Sequence, residues 1–251
     1  LMTAMLSGLI VNYISITWHV GGLAVIATLV LTTIALRLTP VLVKANINEH
    51  EHLPLRTIIT SFRIDWLVSG GFLCAVFLEF TTGDWSAIFA KERIGVGSGL
   101  AALPYIVFMI TIIIGRLNAG SLAKRFHVQH MIRFLALFGG GGFLTFLAIT
   151  VQIPADHKNI ALTTICIAFA FAGIGSSVIT PSFFAAADQR SPLPSAVVIG
   201  QLGVVNIIAV FLLKAVVAWT AQLTGSLAIA LTIPAVMLIA AAFFARAVKV
   251  G

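Results

Sequence analysis

The sequence predicts an all-α fold, a polytopic bundle of membrane-spanning helices. The first reason is composition: hydrophobic residues make up 60% of the 251 residues and charged residues only 9%. About 25% of the residues of a typical soluble domain are charged. The second reason is the long apolar runs, since residues 1–36 hold no Lys, Arg, Asp or Glu and one span needs about 20 apolar residues. The net charge of +7 is therefore interpreted through its positions and not as nucleic-acid binding.

About eight spans are predicted from the apolar runs. They cover approximately residues 1–17, 20–42, 64–83, 95–116, 131–153, 160–187, 194–216 and 223–246. The first break is placed at residues 17–22, where an interfacial Trp lies beside two Gly.

Three regions follow from these spans. Residues 1–43 hold two transmembrane helices, residues 44–62 form a polar loop, and residues 63–251 hold six helices. The chain starts inside an apolar run with no basic segment before it, so the start is not a signal peptide. We expect the beginning of the protein to be missing.

The basic residues predict the orientation. If the loop at residues 44–62 is cytoplasmic, eleven of the fifteen Lys and Arg residues fall on the cytoplasmic side. Lys91, Arg93, Lys158 and Lys214 then fall outside. Short cytoplasmic loops carry an excess of Lys and Arg, so this bias supports eight spans and a cytoplasmic C-terminus.

Glu79 is the acidic residue that most needs explanation, because it lies within an apolar run. We predict it to lie in the outer third of the bilayer. A carboxylate at membrane depth costs up to about 2.5–3.5 kcal/mol on insertion scales. It is interpreted either as a solute contact or proton carrier, or as a carboxylate hydrogen-bonded near the headgroups. Tyr105, Gln201 and Asn206 are the further polar candidates for a path, or they bond between helices.

Four residues are candidates for gating or for helix interfaces. Asp84 and Trp85 first indicate a helix boundary, with a gate as the alternative. Gly115 and Arg116 begin the predicted cytoplasmic connection at residues 115–126, where basic groups anchor the loop. A gating role for Arg116 needs an acidic partner, and this loop contains none.

Small residues are concentrated in the later spans. Gly139, Gly140, Gly141 and Gly142 form a run, and Gly175 and Pro181 share one predicted helix. Gly200 and Gly203 lie in the next span. Small residues allow close helix contacts and Pro can kink a helix, which suits either a moving bundle or a static one.

Enzyme and cofactor motifs are not found. The sequence has no Gly-x-Ser-x-Gly, no phosphate-binding loop and no paired-carboxylate site. The acid and His mixture around His50 and His52 has no metal-site spacing, so a solvated loop is favoured and no metal or cofactor is expected. Cys74 and Cys166 lie in apolar runs and are interpreted as packing residues.

The order of these motifs resembles the C-terminal half of a major facilitator superfamily transporter. The resemblance rests on Glu79 followed by Asp84, Trp85, Ser86 and Ala87, on the Gly115-Arg116-Leu117 helix end, and on a Gly173-x-Gly175 helix with Pro181. The nearest subgroup is the bacterial YbjJ-like group of sugar- and drug-permease-like proteins. Three positions depart from the family's pattern: Gly120 and Lys124 replace acids common in that loop, and Val210-Phe211 replaces a Gly-Pro pair.

The resemblance implies that residues 64–247 match the family's helices seven to twelve, and that residues 1–43 match helices five and six. It implies two six-helix halves with the solute held between them. The function implied is secondary active transport of a small organic solute across the bacterial inner membrane, coupled to protons, with membrane lipid as the other partner. With four helices missing, we expect this piece alone not to transport. The alternative is a non-transporting membrane scaffold or binding subunit, or an inactive remnant.

Overall fold

The computed structural model describes residues 15–44 and 62–248, and every regular element in these two segments is a helix. The chain divides into two units at residues 62 and 63. The first unit contributes helix α1, Ile16–Lys44, which contains the candidate span Val20–Leu38.

The helix break predicted at residues 17–22 is wrong, because α1 is continuous from Ile16. Gly21 and Gly22 lie inside the helix. In a membrane every backbone amide must be bonded within its own segment, and this favours an uninterrupted helix over a glycine break. The predicted first helix, residues 1–17, falls almost wholly outside the described residues.

The second unit is a bundle of antiparallel spans. Its helices are α2 Trp66–Phe89, α3 Ser98–Ala101, α4 Leu103–Ala123, α5 Val128–Gln152, α6 Lys158–Ser177, α7 Ile179–Gln189, α8 Ser195–Thr224 and α9 Leu227–Phe244. A π-helical turn, Ala90–Ile94, extends α2, and a short 3₁₀ turn, Ala245–Ala247, extends α9.

Seven segments of the described residues are long and apolar enough to cross a membrane. Six of them belong to the second unit: α2 with its π turn, α3 with α4, α5, α6 with α7, α8, and α9 with its 3₁₀ turn. The predicted all-α membrane bundle is confirmed. The remaining predicted span, at residues 1–17, lies almost wholly before α1, outside the described residues.

The bundle has two ends, the Trp66 end, where α2 starts, and the Ile94 end, where its π turn stops. At the Ile94 end, Arg93 Nη2 donates to the Val151 carbonyl at 2.7 Å and Lys158 Nζ donates to the Gly95 carbonyl at 3.1 Å. Gly95 has a φ of 74°, a left-handed conformation that ends the helix there. At the Trp66 end, Gln129 Nε2 donates to the Val248 carbonyl at 2.6 Å.

The glycine run of α5 lies at two helix crossings. A Cβ on Gly139 would collide with Gly175 Cα of α6, and a Cβ on Gly140 would lie 3.0 Å from the Ala235 carbonyl of α9. The backbones meet directly, as small residues permit in membrane bundles. By contrast, a Cβ on Gly200 or Gly203 would meet no described atom within 4 Å, so these two glycines make no close crossing within the described residues.

The span containing Pro181 is interrupted rather than smoothly kinked. α6 ends at Ser177, α7 starts at Ile179, and Val178 between them has a φ of −96°. The interruption lies at the turn that Pro181 disrupts, because Pro has no N–H to donate to the carbonyl four residues earlier. Just after the interruption, the Val178 carbonyl accepts from both the backbone N–H and the hydroxyl of Ser182, at 3.2 and 2.8 Å.

Candidate functional site: ion pairs along helix α2

Helix α2 and its N-cap carry three carboxylates, and each is paired with a cation from another segment. Asp65 accepts from Arg190 Nε at 2.6 Å, just after α7. Glu79 accepts from Arg116 Nη2 of α4 at 2.9 Å. Asp84 accepts from Lys214 Nζ of α8 at 2.6 Å. Each carboxylate therefore fixes α2 against a different neighbour.

Asp65 has a second role, because it is the N-cap of α2. Its Oδ1 accepts from the backbone amides of Leu67 and Val68 at 3.1 and 3.2 Å. These bonds satisfy two of the helix's free N–H groups. The other oxygen, Oδ2, is left to accept from Arg190.

Glu79 lies near the middle of its helical segment, and its depth in the outer third of the bilayer stays a prediction. It is thirteen residues after Trp66 and fifteen before Ile94 in a segment of 29 residues, which is about 43 Å long. The helix end predicted at residue 83 is wrong, since the helix continues to Ile94. At this depth a charge needs a partner.

Arg116 supplies that partner, and the predicted connection at residues 115–126 is wrong. α4 continues seven residues beyond Arg116, to Ala123. The Gly115-Arg116 pair was interpreted as a helix end because a charge in an apolar run often marks the interface. The structure places the Arg116 guanidinium on Glu79 instead, with side-chain exposures of 40% and 27%.

Asp84 and Lys214 form the second ion pair within the candidate membrane spans. Asp84 lies ten residues before Ile94, where its span ends, and Lys214 lies ten residues before Thr224, where the span of α8 ends. Ten helical residues correspond to about 15 Å. The helix boundary predicted at Asp84 and Trp85 is therefore wrong, because no proline or left-handed residue stops α2 there. Lys214 Nζ also lies 5.3 Å from the centroid of the Phe80 ring, within the range of a cation–π contact.

Trp85 and Gly115 occupy packing positions. Trp85 is half-buried and packs against both apolar clusters of the bundle. A Cβ on Gly115 would collide with the Ser177 side chain, so Gly115 allows α4 to cross the interruption between α6 and α7. These contacts favour an interface role for both residues.

The remaining path candidates lie on α4 and α8. Tyr105 is half-buried, and a Cβ on Gly83 would lie 3.9 Å from its Cε2 atom. The Tyr105 ring therefore faces the turn of α2 that holds Asp84. Asn206 is buried and its amide donates to the Leu202 carbonyl of its own helix at 2.8 Å. Gln201 is half-buried on the same helix.

Sequence reasoning missed Lys214 and Phe80 as site residues. Lys214 was counted only as a charge outside the membrane, although it is a lone cation within the apolar run of residues 204–218. That isolation was the available signal. Phe80 gave no signal, because one aromatic residue among eighteen Phe is ordinary in a membrane helix. Within residues 15–44 and 62–248, no group of three His, Cys, Asp or Glu is placed to hold a metal.

Comparison with known proteins decides the family. A sequence model of the Major Facilitator Superfamily matches residues 1–213, which is most of the chain. The chain belongs to the major facilitator superfamily. It is also 30% identical over 185 residues to an uncharacterized MFS-type transporter of Yersinia pestis, a match that takes in 73% of this chain.

The chain spans about half the length of that superfamily relative, since the match takes in 45% of it. The predicted superfamily membership is confirmed, and the YbjJ-like subgroup stays a prediction. Within this multi-pass superfamily bundle, the described ion pairs whose two partners both lie inside candidate spans join α2 to α4 and α2 to α8. They form the candidate site: Glu79, Phe80, Asp84, Tyr105, Arg116 and Lys214.

Proposed function

We propose that the full-length protein is a secondary active transporter that moves a small organic solute across the bacterial inner membrane by alternating access. The superfamily supports transport, and the observation that carries the proposal is the pair of Glu79 and Arg116 halfway along a span. Charged groups at membrane depth are costly and mark substrate, ion and proton pathways. The proposal includes coupling to protons through Glu79.

The pair can exist in two states. When Glu79 is ionised, it holds Arg116 by a charge-assisted hydrogen bond. When Glu79 binds a proton, the ion pair is lost, whereas Arg116 stays charged because a guanidinium does not deprotonate in proteins. The freed guanidinium can then bind another acceptor, either on the solute or on a neighbouring helix. Protonation thus changes which helix contacts are favourable.

The second pair supplies a surface for the solute. Asp84, Lys214 and the Tyr105 hydroxyl offer hydrogen-bonding groups, and the Phe80 ring, 48% exposed, offers an apolar face. A few polar groups beside aromatic side chains are typical of small-molecule sites. We assign solute contact to this group, with Gln201 and Asn206 of α8 as further candidates.

The proposed orientation follows from the basic residues. Arg63, Lys124, Arg125, Arg133, Arg190 and Arg246 lie at or near the Trp66 end of the described helices. By the excess of Lys and Arg in cytoplasmic loops, we assign the Trp66 end and the C-terminus to the cytoplasm. The loop at residues 44–62 is assigned to the same side.

The experiment is solute-driven proton movement in vesicles. Full-length protein is reconstituted with an internal pH-sensitive dye, and monosaccharides, disaccharides and cationic drugs are added one at a time. At least one solute should change the internal pH with the wild type. Glu79→Gln should abolish the pH change, while Glu92→Gln, an exposed carboxylate of the π turn, should leave it intact.

Three results would contradict parts of the proposal. Full pH response in Glu79→Gln would remove the proton role of Glu79. Solute uptake that proceeds with no pH change in the wild type would remove proton coupling. Absence of any solute movement across the panel, in protein that binds the same solutes, would favour a non-transporting binding subunit.

A further inference from the structure

A basic cavity opens at the Trp66 end, away from the ion pairs at membrane depth. It has a volume of about 580 Å³ and lies between the end of α4, the start of α5 and α7. Its rim includes Lys124, Arg125 and His127, and none of the described residues that line it is acidic. Neither Lys124 nor Arg125 has an acidic partner among the described residues.

The backbone adds to the positive potential of this cavity. His127 is the N-cap of α5, a helix of 25 residues, and it makes no side-chain capping bond. The first amides of a helix lack partners within the helix and carry a partial positive charge. Val128, the first residue of α5, also lines the cavity. Two cations and a helix N-terminus thus face one volume.

The other part of the cavity lining is apolar. Ala119, Ala123, Met131, Pro181 and Ala185 line it, and Phe126 beside the cations is 57% exposed. The cavity therefore joins a cationic rim to an apolar wall at the end of a span, where headgroups meet hydrocarbon. A free phosphate would contact only the cationic rim, whereas a phospholipid would contact both the cationic rim and the apolar wall.

We propose that this cavity binds an anionic phospholipid, with the headgroup phosphate at Lys124, Arg125 and the start of α5. The first part of an acyl chain lies along Ala123 and Ala185. Each Lys or Arg near an anionic lipid surface contributes about 1 kcal/mol. Loss of both cations should therefore weaken binding about 30-fold.

The test measures lipid binding to full-length protein in a non-ionic detergent by native mass spectrometry. Phosphatidylglycerol and phosphatidylcholine with identical acyl chains are titrated separately. The wild type should bind phosphatidylglycerol more tightly. Lys124→Gln with Arg125→Gln should remove that preference. The matched control is Arg63→Gln with Arg133→Gln, which removes two exposed cations near the same end that do not line the cavity.

A variant that keeps the charge tests the apolar wall. Ala123→Trp should fill the cavity and weaken phosphatidylglycerol binding at least about 10-fold, a loss of about 1.4 kcal/mol. Equal affinity of the wild type for the two lipids would overturn the proposal, as would equal losses in the cavity and control variants. Displacement of the lipid by millimolar inorganic phosphate would overturn the proposal in favour of a site for free phosphate. Unchanged binding in Ala123→Trp would overturn the place given to the acyl chain.

Discussion

The Arg116 guanidinium lies 2.9 Å from the Glu79 carboxylate, although the two residues are 37 positions apart and on different helices. Each charge alone would be costly at this depth. The pair therefore links α2 to α4, and either residue without its partner would be a destabilising unpaired charge. It is also the contact that a proton can break.

A double-mutant cycle should show that Glu79 and Arg116 are coupled. Glu79→Gln and Arg116→Gln should each destabilise the bundle by about 1–3 kcal/mol, because each leaves a charge without its partner. The double variant should lose less than the sum of the two. Unfolding in detergent with increasing SDS measures the free energies. Strictly additive losses would show that the pair makes no energetic contribution.

Lys214 should affect solute binding more than a cation outside the site. Lys214→Met removes the partner of Asp84 and the charge over Phe80, so the KM for uptake should rise about 10-fold, the effect of one lost charge-assisted bond. Lys91→Met, an exposed cation of the π turn, is the control and should leave KM unchanged. Equal effects in the two variants would argue for a general charge effect.

Two glycines of the same run, two positions apart, should differ sharply in their tolerance of substitution by Ala. Gly139→Ala places a Cβ against the α6 backbone, where neither helix can yield easily. The expected loss is about 1–3 kcal/mol. Gly141→Ala meets nothing within 4 Å and should be neutral or slightly stabilising. Melting temperatures of the two proteins in the same detergent make the comparison, and similar melting would place the crossing elsewhere.

Adjacent serines should also behave differently. The Ser176 hydroxyl is buried without a hydrogen-bond partner among the described residues, whereas the Ser177 hydroxyl donates to the Ile174 carbonyl at 2.7 Å. Ser176→Ala should be neutral or stabilising, because it removes an unsatisfied group. Ser177→Ala should cost about 0.5–1.5 kcal/mol. A marked loss of stability in Ser176→Ala would reveal a bonding partner for that hydroxyl.

The sequence alone predicts the all-α membrane bundle and the close helix contacts at the glycine run of α5. Composition dictates the first, since so few charges cannot cover a soluble surface. The second follows because Gly139 and Gly140 act through backbone contact, which needs only small size.

The ends of α2 and α4 could not be predicted in the same way. Asp84 and Arg116 were interpreted as boundary charges because a single chain gives no sign of partners on distant helices. Lys214 lies 130 positions after Asp84, and no local pattern links them. With a partner on another helix, each charge is compatible with the interior of a span. The helix therefore does not have to end at that charge.

The pairing along α2 has a consequence for how the protein is made. Glu79 and Asp84 leave the ribosome before Arg116, and Lys214 is translated 130 residues after Asp84. At about 5–20 residues per second of synthesis, Asp84 waits on the order of 10 s for its partner. At first α2 carries two carboxylates without their cations, and after Arg116 is made Asp84 still lacks its partner. Its stable entry into the bilayer therefore depends on helices that have not yet been translated, and α2 should remain beside the insertion machinery until α8 arrives.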